Sequence, residues 1–175
     1  MKTFKQHIYE KLKVSARTTT EHTLFPKTKN ELKYMIENEI SKNGNKCSLN
    51  HIDVSRITDM TYLFRKSKFN GDISEWDVSN VENMEYMFYN SKFNGDISDW
   101  DVSNVRDMSE MFRESVFTGD ISNWDVSNVG NMVSMFQSSY FDKDISKWDV
   151  SKVKIMDGMF YNSPLENNPP KWYKK

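Results

Sequence analysis

Cysteine is almost absent: Cys47 is the only one in 175 residues. No disulfide can therefore form within the chain, and a secreted disulfide scaffold is excluded. Long apolar runs are missing too. Nothing approaches the ~18 residues that cross a bilayer as a helix, and the N-terminus lacks the apolar core of roughly 7–15 residues that marks a secretory signal. The chain as written is expected to be cytoplasmic as synthesised. His7, His22 and His51 are scattered and make no metal-ligand spacing with Cys47. Phosphate-cradling glycine motifs, a nucleophile elbow and His-Glu-x-x-His are all missing. These absences remove the common enzyme classes, so no catalytic residue, no metal and no cofactor is expected.

What is present is unevenly distributed. Residues 69–164 carry seven Lys or Arg against seventeen Asp or Glu, while the rest of the chain carries seventeen against eight. A basic head and tail flank an acidic middle, which argues against nucleic acid as a partner of that middle. Eleven Met, eleven Phe and five Trp point to an interior of large side chains set in equivalent slots.

Those slots recur every 24 residues. Phe69, Phe93, Phe117 and Phe141 are in phase, as are Trp76, Trp100, Trp124 and Trp148. Asp-Val-Ser begins at Asp53, Asp77, Asp101, Asp125 and Asp149. Met60, Met84, Met108, Met132 and Met156 share one position, and Phe64, Phe88, Phe112, Phe136 and Phe160 another. Leu165 and Trp172 extend the frame into the tail. Regularity of this kind signals a repeat architecture. A single unit cannot bury enough apolar surface to offset the ordering of its backbone, so neighbours must complete one another.

Within a unit, the alternation around Trp76 and Val78 predicts a short strand, and Val81, Met84, Met87 and Phe88 fall on one face of a short helix. Gly71, Gly95 and Gly119 sit where the chain turns back and are expected to take a positive φ; Lys143 replaces them in the last full unit. The expected fold class is α/β, a leucine-rich-repeat-like solenoid with one short parallel strand and one short helix per coil.

The units, with Gly-Asp-Ile-Ser-x-Trp-Asp-Val-Ser-Asn-Val followed by Met-Phe, resemble the BspA-like leucine-rich repeats of bacterial surface proteins and lipoproteins over residues 45–164. The resemblance implies a right-handed solenoid whose parallel strands line one face, a cell-surface setting, and a role in adhesion or protein binding.

Ahead of the repeats, residues 23–44 read as an N-terminal cap. Thr28 and Glu31 form a capping box after Pro26, Leu32, Met35, Ile36 and Ile40 make an apolar stripe, and Gly44 ends the helix. Residues 1–22 read as a basic amphipathic arm and linker, with Phe4, Ile8 and Leu12 a turn apart. The arm resembles the capsid-targeting peptides of internal head proteins in large tailed phages, which implies delivery to a virion. Residues 45–164 form five coils, and 165–175 a partial repeat and tail with Pro169 and Pro170.

Aspartate is the one concentrated reactive type. Asp72, Asp96, Asp120 and Asp144 would stack in one column and the Asp-Val-Ser residues in another. Carboxylates one coil apart, ~4.8 Å, repel by roughly 1 kcal/mol in water and more under lower dielectric, so each needs solvent or donors. The Asp after Gly is expected to accept backbone N–H bonds in its turn, and the strand Asp to pair with Ser or water. Calcium between coils is the functional alternative. A carboxylate hydrolase is disfavoured, because every coil carries the same Asp.

Candidate binding residues are therefore the variable positions on the fixed frame. On the strand face these are Glu75, Asp77, Asp99, Asp101, Asn123, Asp125, Lys147 and Asp149. On the helical face they are Tyr62, Arg65, Tyr86, Tyr89, Arg113 and Tyr161, residue types suited to protein recognition. The expected function is a monomeric, non-enzymatic module for protein–protein binding or adhesion, presenting an acidic face to a protein partner. The alternative is a phage-encoded structural protein targeted by its basic arm.

Overall fold

Thr28 opens the only helix among the described residues of the computed structural model, which describes residues 20–174. The proposed arm falls almost entirely on residues 1–19, outside the described residues. Helix α1, Lys29–Asn43, starts because the Thr28 side chain accepts the Glu31 N–H at 3.2 Å while the Glu31 carboxylate accepts the Lys27 N–H at 2.6 Å. The reciprocal bond thus reaches one residue further back than a strict capping box. The helix stops at Gly44, whose N–H returns to the Ile40 carbonyl with φ +83°. Leu32 and Ile36 are buried and join the core, with Met35 and Ile40 half-buried against it. The stripe lies across the first coil and closes that end of the molecule.

The α/β leucine-rich-repeat solenoid expected for the remainder is not what forms. The coils have no per-coil helix, no extended strand and no sheet; parallel pairing is confined to isolated bridges such as Asp59 with Asn83, Asn83 with Asp107 and Asp107 with Asn131. The 24-residue units do stack in register, but each coil is a chain of tight turns.

The helical reading of Val81, Met84, Met87 and Phe88 fails for a visible reason. All four are buried as the pattern demanded. Yet Tyr86 and Asn90 between and beyond them have φ +56° and +48°, and a left-handed residue ends a right-handed helix. The N–H groups of Met84, Tyr86, Phe88 and Asn90 therefore leave the segment and donate to the Asp107, Ser109, Met111 and Arg113 carbonyls of the next coil at 2.8–3.1 Å. Those of Met87, Tyr89 and Ser91 bond the carbonyl three residues back and close four-residue turns within the coil. The supposed strand is also two turns: Trp76 N–H bonds the Ile73 carbonyl, and Val81 N–H the Val78 carbonyl.

Side chains supply what a sheet would otherwise give. The indole N–H of Trp76, Trp100, Trp124, Trp148 and Trp172 each donates to a carbonyl one coil back, Leu49, Ile73, Ile97, Ile121 and Ile145, at 3.0–3.2 Å. Asn80, Asn104 and Asn128 do the same to Ser55, Ser79 and Ser103. Phe64, Phe88, Phe112, Phe136 and Phe160 form a continuous stack with centroids 5.5–6.0 Å apart and rings within 6° of parallel. The core is this set of aromatic and Met columns running the length of the molecule.

The glycine expectation needs a second correction. Gly71, Gly95 and Gly119 are not among the positive-φ residues; Gly44 and Gly158 are. What excludes a side chain at Gly71 is room: a Cβ there would lie 1.9 Å from the Cys47 carbonyl oxygen and 2.7 Å from the Phe69 ring.

Candidate binding faces

Along one side of the stack, every aspartate of the two columns turns its Oδ1 back onto the chain. Asp77, Asp101, Asp125 and Asp149 accept the N–H of Ser79, Ser103, Ser127 and Ser151 at 3.0–3.1 Å. Asp72, Asp96, Asp120 and Asp144 accept from Ser74, Ser98, Ser122 and Ser146 at 2.9–3.0 Å. These are Asx turns, and they explain why Asp-x-Ser recurs: the carboxylate stands in for a backbone acceptor where the chain bends. These eight aspartates are exposed, and Asp72 also accepts from the Asn50 side-chain amide at 2.8 Å through its Oδ2.

Bonds from the serine hydroxyl and N–H hold Asp53, Asp120, Asp125, Asp144 and Asp149 below the usual aspartate range. A carboxylate with a lowered folded pKa contributes stability above its unfolded pKa of about 3.9, and this is lost as pH falls through the lower folded value. The melting temperature is accordingly expected to hold between about pH 7 and 5 and to fall below about pH 4. A melt at pH 3 that matched the neutral one would contradict the turn assignment.

The structure brings four of the eight acidic-face candidates into one groove. Glu75, Asp77, Asp99 and Asp101 line a hollow of about 520 Å³ together with Thr20 and His22. Glu75 is fixed there by the Thr20 hydroxyl, which donates to its Oε2 at 2.6 Å, while its own N–H donates to Asn50 Oδ1 at 3.1 Å. Thr20 and His22 reach this position beside the first coil, where the Thr23 N–H bonds the His51 carbonyl at 2.9 Å. Asn123, Asp125, Lys147 and Asp149 continue the columns further along and do not line the groove. None of the eight lies on a strand: Glu75, Asp99, Asn123 and Lys147 sit in turns, and Asp77, Asp101, Asp125 and Asp149 open the Asx turns that follow.

On the other side, five of the six aromatic and arginine candidates form one cluster. Tyr62 and Tyr86 stack at 4.9 Å and 9°, Tyr86 meets Tyr89 edge-on at 5.6 Å, and Arg65 lies over all three rings at 5.4–6.0 Å. Arg113 covers Tyr89 from the next coil at 5.8 Å. Tyr161 is in phase but three coils beyond Tyr89 and stands apart, exposed. These residues sit on left-handed turns, not on a helix: Tyr62 and Tyr86 both have positive φ.

Glu110 belongs to this cluster and was missed as a candidate. It accepts from the Tyr86 hydroxyl and from Arg113 Nη1 at 2.8 Å. The Tyr86 phenol is thereby pushed up to about 12, chiefly by the bond to that carboxylate. The signal was available, since Glu110 occupies the Tyr62 and Tyr86 phase. Burial, with Asp107 and Glu110 nearby, raises Glu85 above the usual glutamate range. Among the described residues no three His, Cys, Asp or Glu side chains are placed to hold a metal ion, and no helix is long and apolar enough to cross a membrane.

Two stretches of the chain, residues 30–117 and 113–174, match one protein family, described as Mycoplasma protein of unknown function, DUF285. No curated protein matches the chain. No solved structure matches it.

Proposed function

Given that the chain belongs to the DUF285 family of unknown function, we propose from its own surface that it is a non-enzymatic module for protein binding or adhesion. Its acidic turn face receives a basic segment of a protein partner. The observation that carries this reading is the groove in which Glu75, Asp77, Asp99 and Asp101 converge beside Thr20. Asp77 and Asp101, held in Asx turns, and Glu75, held by Thr20, are already ordered, so a lysine or arginine side chain meets them at little further entropic cost. Repetition supports binding over catalysis: the same Asp occupies each coil, whereas a reaction needs one position unlike the rest. The likeness of the motif to BspA-like surface repeats points the same way.

The test exploits the fact that Asn can replace Asp in an Asx turn while removing its charge. Binding of a lysine-rich peptide should weaken with added salt, as exposed charges do beyond a Debye length of about 8–10 Å. The triple variant Asp77→Asn, Asp99→Asn, Asp101→Asn should bind at least about tenfold more weakly, roughly half a kcal/mol for each lost charge contact. A control that removes charge elsewhere, Glu82→Gln with Glu114→Gln and Asp157→Asn, should bind like the parent. Equal losses in both triple variants would reduce the effect to net charge and sink the reading.

A further inference from the structure

At every junction between full coils, four N–H groups at alternate residues donate forward to the next coil. From the coil at 117–140 these are Met132, Ser134, Phe136 and Ser138, bonded to the Ile155, Asp157, Met159 and Tyr161 carbonyls at 2.9–3.0 Å. The same four positions of the last full coil are Met156, Gly158, Phe160 and Asn162. Among the described residues nothing accepts from the N–H of Met156, Gly158 or Phe160. The fourth is satisfied by a substitute, because Asn162 N–H donates to the Glu166 carboxylate at 3.0 Å. Residues 165–174 close the Trp side of this end, with Trp172 bonded to the Ile145 carbonyl and stacked 6.4 Å from Trp148, and reach the turn side through Glu166 and through Tyr173, whose ring meets Phe160 edge-on at 4.9 Å. Beside Tyr173, among the described residues, the turn side keeps a hollow.

The sequence changes at the same place. The bridge position holds Asp59, Asn83, Asp107 and Asn131 in the earlier coils, each accepting the N–H two residues on. In the last coil it holds Ile155, which is 47% exposed. Ile155, Met156, Phe160 and Tyr173 border a hollow of about 470 Å³, with Lys154 and Glu166 at its rim. A row of three unpaired donors beside an apolar hollow is the counterpart of an open sheet edge, a place where backbone adds to backbone.

We propose that this end receives an extended segment of a protein partner, running parallel to residues 155–161 and supplying carbonyls at three alternate residues with apolar side chains between them. Polarity and size select that occupant. A second copy meeting end to like end would set donors against donors. A second copy stacked by its opposite end is kept away by α1, whose first turn sits over the matching segment through Lys29 Nζ to Asp59 at 2.7 Å and Thr61 at 2.6 Å. A helix is about 10 Å across, and coils pair at about 4.8 Å. A separate extended segment has the carbonyls and no such obstruction, and main-chain bonds of this kind with side-chain pockets beside them are a recurrent mode of peptide recognition.

The test reads the three amides directly by NMR hydrogen exchange on the whole chain. The probe is a blocked synthetic peptide copying residues 130–139, GNMVSMFQSS, which is uncharged and so does not address the acidic face. In the free protein the Met156, Gly158 and Phe160 amides should exchange fast. The peptide should shift their resonances and slow their exchange by about tenfold or more. A chain in which residues 173–175 are replaced by a copy of 77–92, completing the coil in phase after Trp172, should show these amides protected already and no response to peptide. The proposal is overturned if the three amides are protected in the free chain, if the peptide shifts other surfaces or none, or if protection appears with rising protein concentration alone, which would make the occupant a second copy.

Discussion

Phe112→Ala should cost about 3–5 kcal/mol of unfolding free energy, the range for truncating a large aromatic in a closely packed interior. Phe112 is fully buried and its ring sits 5.6 Å from Phe88, 5.8 Å from Phe136 and 4.4 Å from Phe117. Removing it opens a cavity shared by three coils. None of them can close it alone, because the bonds from Phe88 and Phe112 N–H to the Met111 and Met135 carbonyls fix the coil spacing. A small domain has roughly 5–15 kcal/mol in total, so this one change removes about a fifth or more. Tyr161→Ala, at an exposed position of the same surface row as Tyr89, should stay within about 0.5 kcal/mol. Urea unfolding of both variants measures the contrast. A loss under about 1 kcal/mol for Phe112→Ala would mean that neighbouring coils do not share their interior.

The period and the buried columns were legible because side-chain burial leaves its mark on every unit. Phe, Trp and Met positions repeat every 24 residues, with Ile52, Leu63 and Leu165 as apolar substitutes at the ends, and they fall where the core needs them, Val81 and Met84 as much as Trp76. Helix α1 was legible from its boundaries, since Thr28, Glu31 and Gly44 act through local chemistry. The backbone between the buried positions was not. Spacing of i, i+3 and i+7 fits a helix, but a run of turns with left-handed residues places Met84, Met87 and Phe88 inward just as well. Asn90, Asn162 and Gly158 hinted at those turns, as residues that tolerate positive φ, but Tyr62, Tyr86 and Glu110 in the same rows hid the signal.

Alternation around Trp76 likewise looked like a strand because Asx turns also send successive residues to opposite sides. The glycine rows were read as a dihedral requirement when the constraint is contact with Cys47 and the Phe rings. Of the candidate faces, the phase of Tyr62, Tyr86 and Tyr89 led correctly to one cluster, as adjacent rows must. What phase could not show was which neighbours close up. Glu110 draws Tyr86 and Arg113 together, whereas Tyr161, in the same row as Tyr89 and Arg113, has coils between it and the cluster. The acidic groove depends on Thr20 and His22 arriving from far away in sequence, which no repeat pattern encodes.

Two deletions of different length should separate a stack of interchangeable coils from an ordinary globular core. Removing residues 93–116 takes out one whole period of 24 and joins Lys92 to Phe117. Every Phe, Trp and Met column then reconnects in register, and the four forward donors of the coil at 69–92 find the carbonyls of the coil at 117–140. Removing only residues 93–104 takes out half a period and sets Val105 where Phe93 stood. Apolar slots then face polar ones along the remainder, and the carbonyl and N–H rows miss each other, each orphaned buried group costing about 1–3 kcal/mol. In repeat architectures stability is close to a sum of unit and neighbour terms, so losing a unit lowers it without abolishing it. Thermal unfolding followed by near-ultraviolet circular dichroism of the Trp and Phe stacks reads the outcome. The longer deletion should keep the aromatic signal and a single cooperative transition at a somewhat lower temperature, while the shorter one should lose both. If the two deleted chains melted alike, or the half-period deletion proved the better folded, the stacking of equivalent coils would be refuted.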